Sequence, residues 1–171
     1  MIELKEFELE DEAILRKEWD YIRELAEDEN GFTNTSHGIS WEDFLSSYIP
    51  RRKQFVTGEG LEEGMVRQFD YLLWVDGEIA GMYRIRPELN DFLRNVTGGH
   101  IGYGLKKEYR GKGLGTQGLK MALEVLKTKT KDSEAYLFCH KDNGASLKVM
   151  QKNGAYIHHE TDENFCTRIK L

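Results

Sequence analysis

The chain has little of what marks secreted, membrane or nucleic-acid-binding proteins. It has only two cysteines, Cys139 and Cys166, both inside apolar runs. A secreted disulfide scaffold uses more, at framework spacing, so buried reduced thiols are expected. No stretch approaches the ~20 apolar residues of a membrane helix. The opening MIELKEFELEDE lacks the basic segment and apolar core of a signal peptide. Asn34-Thr35-Ser36 and Asn95-Val96-Thr97 match the glycosylation triplet, which means nothing without secretion. Basic residues are in deficit: 24 Lys and Arg against 30 Asp and Glu give a net charge of −6, which repels a phosphate backbone. No nucleic acid, no membrane and a cytoplasmic location are the expectations. No spacing among five histidines and two cysteines makes a zinc site, so no metal is expected.

What is present is globular. The chain is 39% hydrophobic and 11% aromatic, and its 171 residues suit a single domain over 1–171. MIELKEFEL alternates as a strand, and Asp11 to Glu27 repeats apolar residues at helical spacing. DENGFTNTSHGIS (28–40) reads as a loop. Ser40 then caps a short helix that Pro50 and the following basic residues should end. FDYLLWVDGEIAGMYRIR is the clearest hairpin, with Asp76-Gly77 as a type I′ turn. A strand HIGYGL, a helix from about Gly113 to Thr128, a buried strand AYLFC, a helix 143–152 and a final antiparallel pair complete the chain. The order predicts an α/β domain with a mixed, mostly antiparallel sheet and helices on both faces.

One stretch demands an explanation. In EYRGKGLGTQGLKMALEVLK, glycines 111, 113, 115 and 118 fall directly ahead of a good helical pattern, where glycine is costly. A glycine turn opening a helix is an anion site: the first N–H groups lack partners, and no Cβ blocks a phosphate. Arg110 and Lys112 could add charge. The Walker A pattern fails, because Gly113 follows Gly111-Lys112 and Lys106 stands where the first glycine belongs. GLGTQG matches the dinucleotide fingerprint G-x-G-x-x-G, but KKEYRGK separates it from its strand and no acidic residue ends the next strand. The third pattern, Arg-x-x-Gly-x-Gly, is met by Arg110, Gly113 and Gly115.

With IGYGLKKEYRGKGLG and NGASLKVMQKNGA, this pattern resembles the GNAT superfamily of acyl-CoA-dependent N-acyltransferases. The run IRPELNDFLRNVTGGHIGY resembles a group of small bacterial acetyltransferases within it. The resemblance implies that acetyl-CoA is the co-substrate, with its pyrophosphate on the N–H groups of Gly111, Lys112, Gly113, Leu114, Gly115 and Thr116. Tyr103, Gly104 and Leu105 match strand positions that pair with the pantetheine arm, inserted between splayed parallel strands. Asn143 matches an asparagine that contacts the cofactor arm, with Ser146 close by; as a residue, Asn143 also reads as a helix cap, and both roles can hold together. Homodimers are common in this family, and nothing in the sequence identifies an interface.

The implied reaction is direct attack of a primary amine of a small molecule on the acetyl thioester. The family's usual tyrosine acid, seven residues after the helix asparagine, is replaced here by Met150. That departure leaves an acyl-CoA-binding sensor without turnover as the alternative. For the base, His100 enters the central strand and has a suitable ordinary pKa, although a satisfied structural histidine is the plainer reading. For the acceptor, acids such as Glu29, Glu42, Glu88 and Asp91 could attract an ammonium, or Arg84, Arg86 and Arg94 a carboxylate. The sequence leaves both open.

Overall fold

The computed structural model describes all 171 residues. In chain order its elements are β1 (Ile2–Glu6), α1 (Glu12–Glu24), β2 (Asp28–Glu29), β3 (Phe32–Thr33), α2 (Trp41–Asp43), α3 (Ile49–Thr57), β4 (Phe69–Val75), β5 (Glu78–Ile85), α4 (Asp91–Asn95), β6 (Ile101–Leu105), α5 (Leu114–Lys129), β7 (Glu134–His140), α6 (Gly144–Lys152), β8 (Tyr156–Glu160) and β9 (Asn164–Lys170).

The strands form two antiparallel blocks, β1-β4-β5-β6 and β7-β9-β8. Because strand side chains alternate faces, each strand feeds two cores. Tyr71, Leu73, Tyr83, Ile85 and Ile101 meet Leu119, Ala122 and Leu126 of α5 on one face. Leu72, Trp74 and Met82 meet Leu15, Tyr21 and Ile22 of α1 and Phe44 and Tyr48 on the other. The α/β arrangement with helices on both faces is as expected. No helix is long and apolar enough to cross a membrane.

The β4–β5 turn is type I′ in form, with Asp76 at φ 50° and Gly77 at φ 88°. Ser40 caps α2 by accepting the Asp43 N–H. Pro50 does not end that helix. A π-turn over Phe44–Tyr48, with Ile49 N–H reaching back to Phe44 O, joins α2 to α3 and sets Pro50 at the opening of α3, where a missing N–H costs little. The run ends instead at Gly58, φ 81°.

The stretch 28–40 is also more ordered than a loop. Asn30-Gly31, both at positive φ, turns a short β2–β3 hairpin. Asn34 is buried and donates to Ile22 O and Leu25 O, both at 2.8 Å, so this glycosylation triplet is structural.

Candidate active site

The two sheet blocks meet at β6 and β7, and there they barely pair. The one backbone bond across the seam is His100 N–H to Tyr136 O, 2.8 Å. Beyond it the strands part, and the facing edge of β6 keeps its polar groups free of β7. Gly99 is required at this vertex: a Cβ there would stand 2.2 Å from Tyr136 O. The opening is a cleft of about 450 Å³. One end is the glycine turn. The other, near the vertex, is lined by Thr97, Gly98, Ile101 and Gly102.

At the turn, the N–H groups of residues 111 to 116 have no protein acceptor, the first helical bond being Gln117 N–H to Gly113 O at 3.1 Å. Gly111 and Gly113 lie at φ 73° and 78°, with open space where a Cβ would go. That is a cradle for an anion. The other two glycines serve packing. A Cβ on Gly115 would meet Leu105 and Val149 at 3.4 Å, and one on Gly118 would stand 2.1 Å from the Tyr83 hydroxyl.

Most of the expected residues share this cleft. Tyr103, Gly104, Leu105, Gly111, Gly113, Gly115, Thr116, Asn143 and Ser146 line it. Asn143 also caps α6, its Oδ1 accepting the Ser146 N–H at 3.1 Å. Three residues differ from expectation in what their side chains do. Leu114 is core. Lys112 is exposed and outside the lining, its Nζ 5.8 Å from the Tyr109 ring. Arg110 lines the cleft but is committed: its guanidinium donates to Leu105 O at 2.9 and 2.6 Å and pairs with Glu29 at 2.6 Å. The guanidinium therefore braces the turn and has little left for a phosphate.

His100 is the clear correction. It lies outside the cleft lining and is fully buried. Its Nδ1 accepts the Tyr136 N–H at 2.9 Å, and its Nε2 donates to Asp132 Oδ2 at 3.1 Å; Asp132 is also held by Arg94 at 2.9 Å. With the backbone bond, His100 makes two bonds to Tyr136 and pins the vertex. Burial pulls its pKa down to about 4 against the attraction of Asp132, so it is neutral at pH 7. A histidine so engaged cannot reach an amine. The geometry is that of a satisfied structural histidine.

Met150 is fully buried and takes a contact from Thr167 Oγ1 at 3.4 Å, so α6 brings no hydroxyl at the family's position. One reaches the same helix from β6: Tyr103 Oη lies 2.9 Å from Ser146 Oγ. Burial pushes the Tyr103 pKa up, which keeps the phenol protonated. Cys139 lines the cleft, but burial pushes its thiol up to about 11, which keeps it unreactive.

The β2–β3 hairpin is the part that sequence reasoning missed. It straps the cleft: Glu29 ties to Arg110, and Gly31 lies so close to β7 that a Cβ there would stand 2.6 Å from His140 Nε2. Asn30-Gly31 carries the same turn signal as Asp76-Gly77. The strands it joins are only two residues each, too short to show alternation.

The comparisons with known proteins agree with this architecture. The model of the Acetyltransferase (GNAT) family matches residues 19–155, and the chain belongs to that family. Among curated proteins no match is found. Solved structures with similar folds include a GNAT-family acetyltransferase from Streptococcus pneumoniae (TM-score 0.65, 15% identity, covering 100% of this chain and 99% of that one). Another is the aminoglycoside acetyltransferase AAC(6')-Ib in complex with coenzyme A (0.65, 15%, 99% and 95%). A third is the PaiA N-acetyltransferase of Thermoplasma acidophilum in complex with coenzyme A (0.59, 20%, 100% and 99%). At such identities they establish the fold alone.

Proposed function

We propose that the chain transfers an acetyl group from acetyl-CoA to a primary amine on a small molecule, by direct attack of the amine. The observation that carries this reading is the run of free N–H groups from 111 to 116, opening onto a cleft beside an unpaired strand edge. The turn suits a pyrophosphate, and the edge at Tyr103–Leu105 suits the two amides of a pantetheine arm, added like a strand. Asn143 and Ser146 form the facing wall. The relatives bound to coenzyme A support the same ligand here.

Acetyl-CoA supplies the activated acetyl group; the chain supplies position and protons. Positioning alone is worth ~7–11 kcal/mol. Tyr103, the hydroxyl that reaches α6 where Met150 offers none, donates its proton to the thiolate as the C–S bond breaks, and is restored by the proton that the newly acylated nitrogen gives up. One such acid typically adds about 10²–10⁴-fold. The cleft lining has one carboxylate, Glu29, spent on Arg110, and one imidazole, His140, under the hairpin strap. With its carboxylate paired and its imidazole packed under the strap, the site takes up the amine already neutral. The pH–rate profile should therefore follow the acceptor's own ionisation. Release of free coenzyme A in the presence of amines, read with a thiol reagent, tests the reading. The second reading is a binding module that grips acyl-CoA without turnover, which Met150 favours. Tight acetyl-CoA binding with no thiol release across an amine panel would establish it.

A further inference from the structure

Arg84 and Arg86 sit two residues apart on β5 and its continuation, on the sheet face covered by α1 and α3; neither lines the cleft itself, and both lie directly behind its lining at the vertex end. Arg86 Nη1 donates to Gly99 O at 3.3 Å, and a Cβ on cleft-lining Gly98 or Gly102 would lie 3.8 or 4.0 Å from that same nitrogen. The Arg84 guanidinium rests 4.3 Å above the ring of Phe32, another cleft-lining residue. No side-chain N–H of Arg84 has an acceptor in the protein, and its Nε is buried without a partner.

The nearby acids are already used. Asp70 is buried and takes Arg52 on one oxygen and Gln68 Nε2, at 2.8 Å, on the other. Asp132 belongs to Arg94 and His100. Glu88 belongs to Arg67. Buried Glu18, its pKa raised to about 8 by burial, is mostly uncharged at pH 7. Burial, then the neighbouring Arg84, pull the Arg86 pKa down to about 10. On the same side the Tyr21 hydroxyl is sealed from solvent with no partner. This region holds donors without acceptors, and buried polar groups are rarely left so.

We propose that Arg84 and Arg86 form a carboxylate pocket at the acceptor end of the cleft, so that the acceptor is an amine bearing a carboxylate, of amino-acid type. A carboxylate is acceptor-only and planar, and it fits guanidinium donors that lack partners. It supplies the one missing charge type at the end of the cleft opposite the glycine turn. The amine would then be held by its acid group, facing the acetyl position. The inference rests on the acetyl-transfer reading of the same cleft, and two experiments separate their failures.

In the first, the arginine side-chain Nε–H resonances of labelled protein are followed during titration with sodium propionate, and with sodium chloride at matched ionic strength. Two resonances should shift saturably with propionate only, and be absent one at a time in Arg84→Met and Arg86→Met, both of which should still bind acetyl-CoA. No saturable response, or the same response to chloride, overturns the pocket.

In the second, coenzyme A release is measured with common amino acids, each beside its carboxamide. The acids should be preferred, and Arg86→Met should raise their KM roughly ten- to hundredfold, the usual scale for a hydrogen bond to a charged group, while the carboxamides change little. Equal turnover of the carboxamides overturns the pocket but leaves acetyl transfer standing. If no amine in the panel turns over, the propionate titration decides the pocket alone.

Discussion

Replacing His100 should change how the protein responds to acid more than it changes chemistry. In the folded chain the imidazole has a pKa of about 4, against 6.5 unperturbed. The folded site therefore binds a proton more weakly than the unfolded chain does. Between those two values the unfolded chain takes up a proton that the folded one refuses. The neutral clasp contributes fully above pH 6.5, and its contribution is lost as pH falls toward 4. At ~1.4 kcal/mol per pK unit, the whole window is worth ~3 kcal/mol. Gln and Asn at position 100 do not titrate: Gln keeps a donor for Asp132, and Asn an acceptor for the Tyr136 N–H. Urea unfolding of wild type and both variants, from about pH 7 to pH 4, gives the test. Each variant should be less stable at neutral pH, and the gap to wild type should close toward pH 4 as the wild type alone loses its His100 contribution. A gap that stays constant with pH would refute the assignment of a buried neutral imidazole at the vertex.

Glu18 should show the opposite slope. Its folded pKa is raised to about 8, so stability falls as pH rises from 4.5 through 8, and Glu18→Gln should abolish that fall in the same unfolding series. Gly118→Ala pushes a methyl into the Tyr83 ring edge and should cost ~1–3 kcal/mol, little of it recovered by adding Tyr83→Phe, because the Cζ and Cε2 carbons at 2.5 and 2.9 Å stay in place; thermal denaturation of the single and double variants decides. Tyr103→Phe should lower kcat by about a hundredfold with acetyl-CoA affinity kept, and an unchanged kcat would remove Tyr103 as the acid.

How much of this was legible in the sequence depended on whether the signal was local. The glycine turn stood out because glycine before a helix has a local cost, and Asp76-Gly77 because a type I′ turn has a local composition. Asn30-Gly31 carried that composition too, but two-residue strands give no period to confirm it. Pro50 misled, since the π-turn that accommodates it depends on Phe44 and Tyr48 packing against β4 and α1. Assigning His100 needed Asp132 and Tyr136, which lie 32 and 36 residues away and are brought to it by the β6–α5–β7 crossover. The arginines were ambiguous for the same reason. Until Arg94 is seen on Asp132 and Asp70 on Arg52, nothing distinguishes a free guanidinium from a paired one.

The central claim is that the glycine turn holds the pyrophosphate of acetyl-CoA, and calorimetric titration with acetyl-CoA tests it most directly, with NADH as the control ligand. Position 113 has φ 78° and open space for a side chain, a backbone that Asp and Asn tolerate best after glycine. Gly113→Asp adds negative charge at the cradle, and Gly113→Asn adds the same bulk without it. The account predicts micromolar binding of acetyl-CoA to the wild type, weaker binding to Gly113→Asn, none to Gly113→Asp, and none of NADH to any of them. Equal acetyl-CoA binding by all three proteins would contradict the claim, and so would no binding by the wild type.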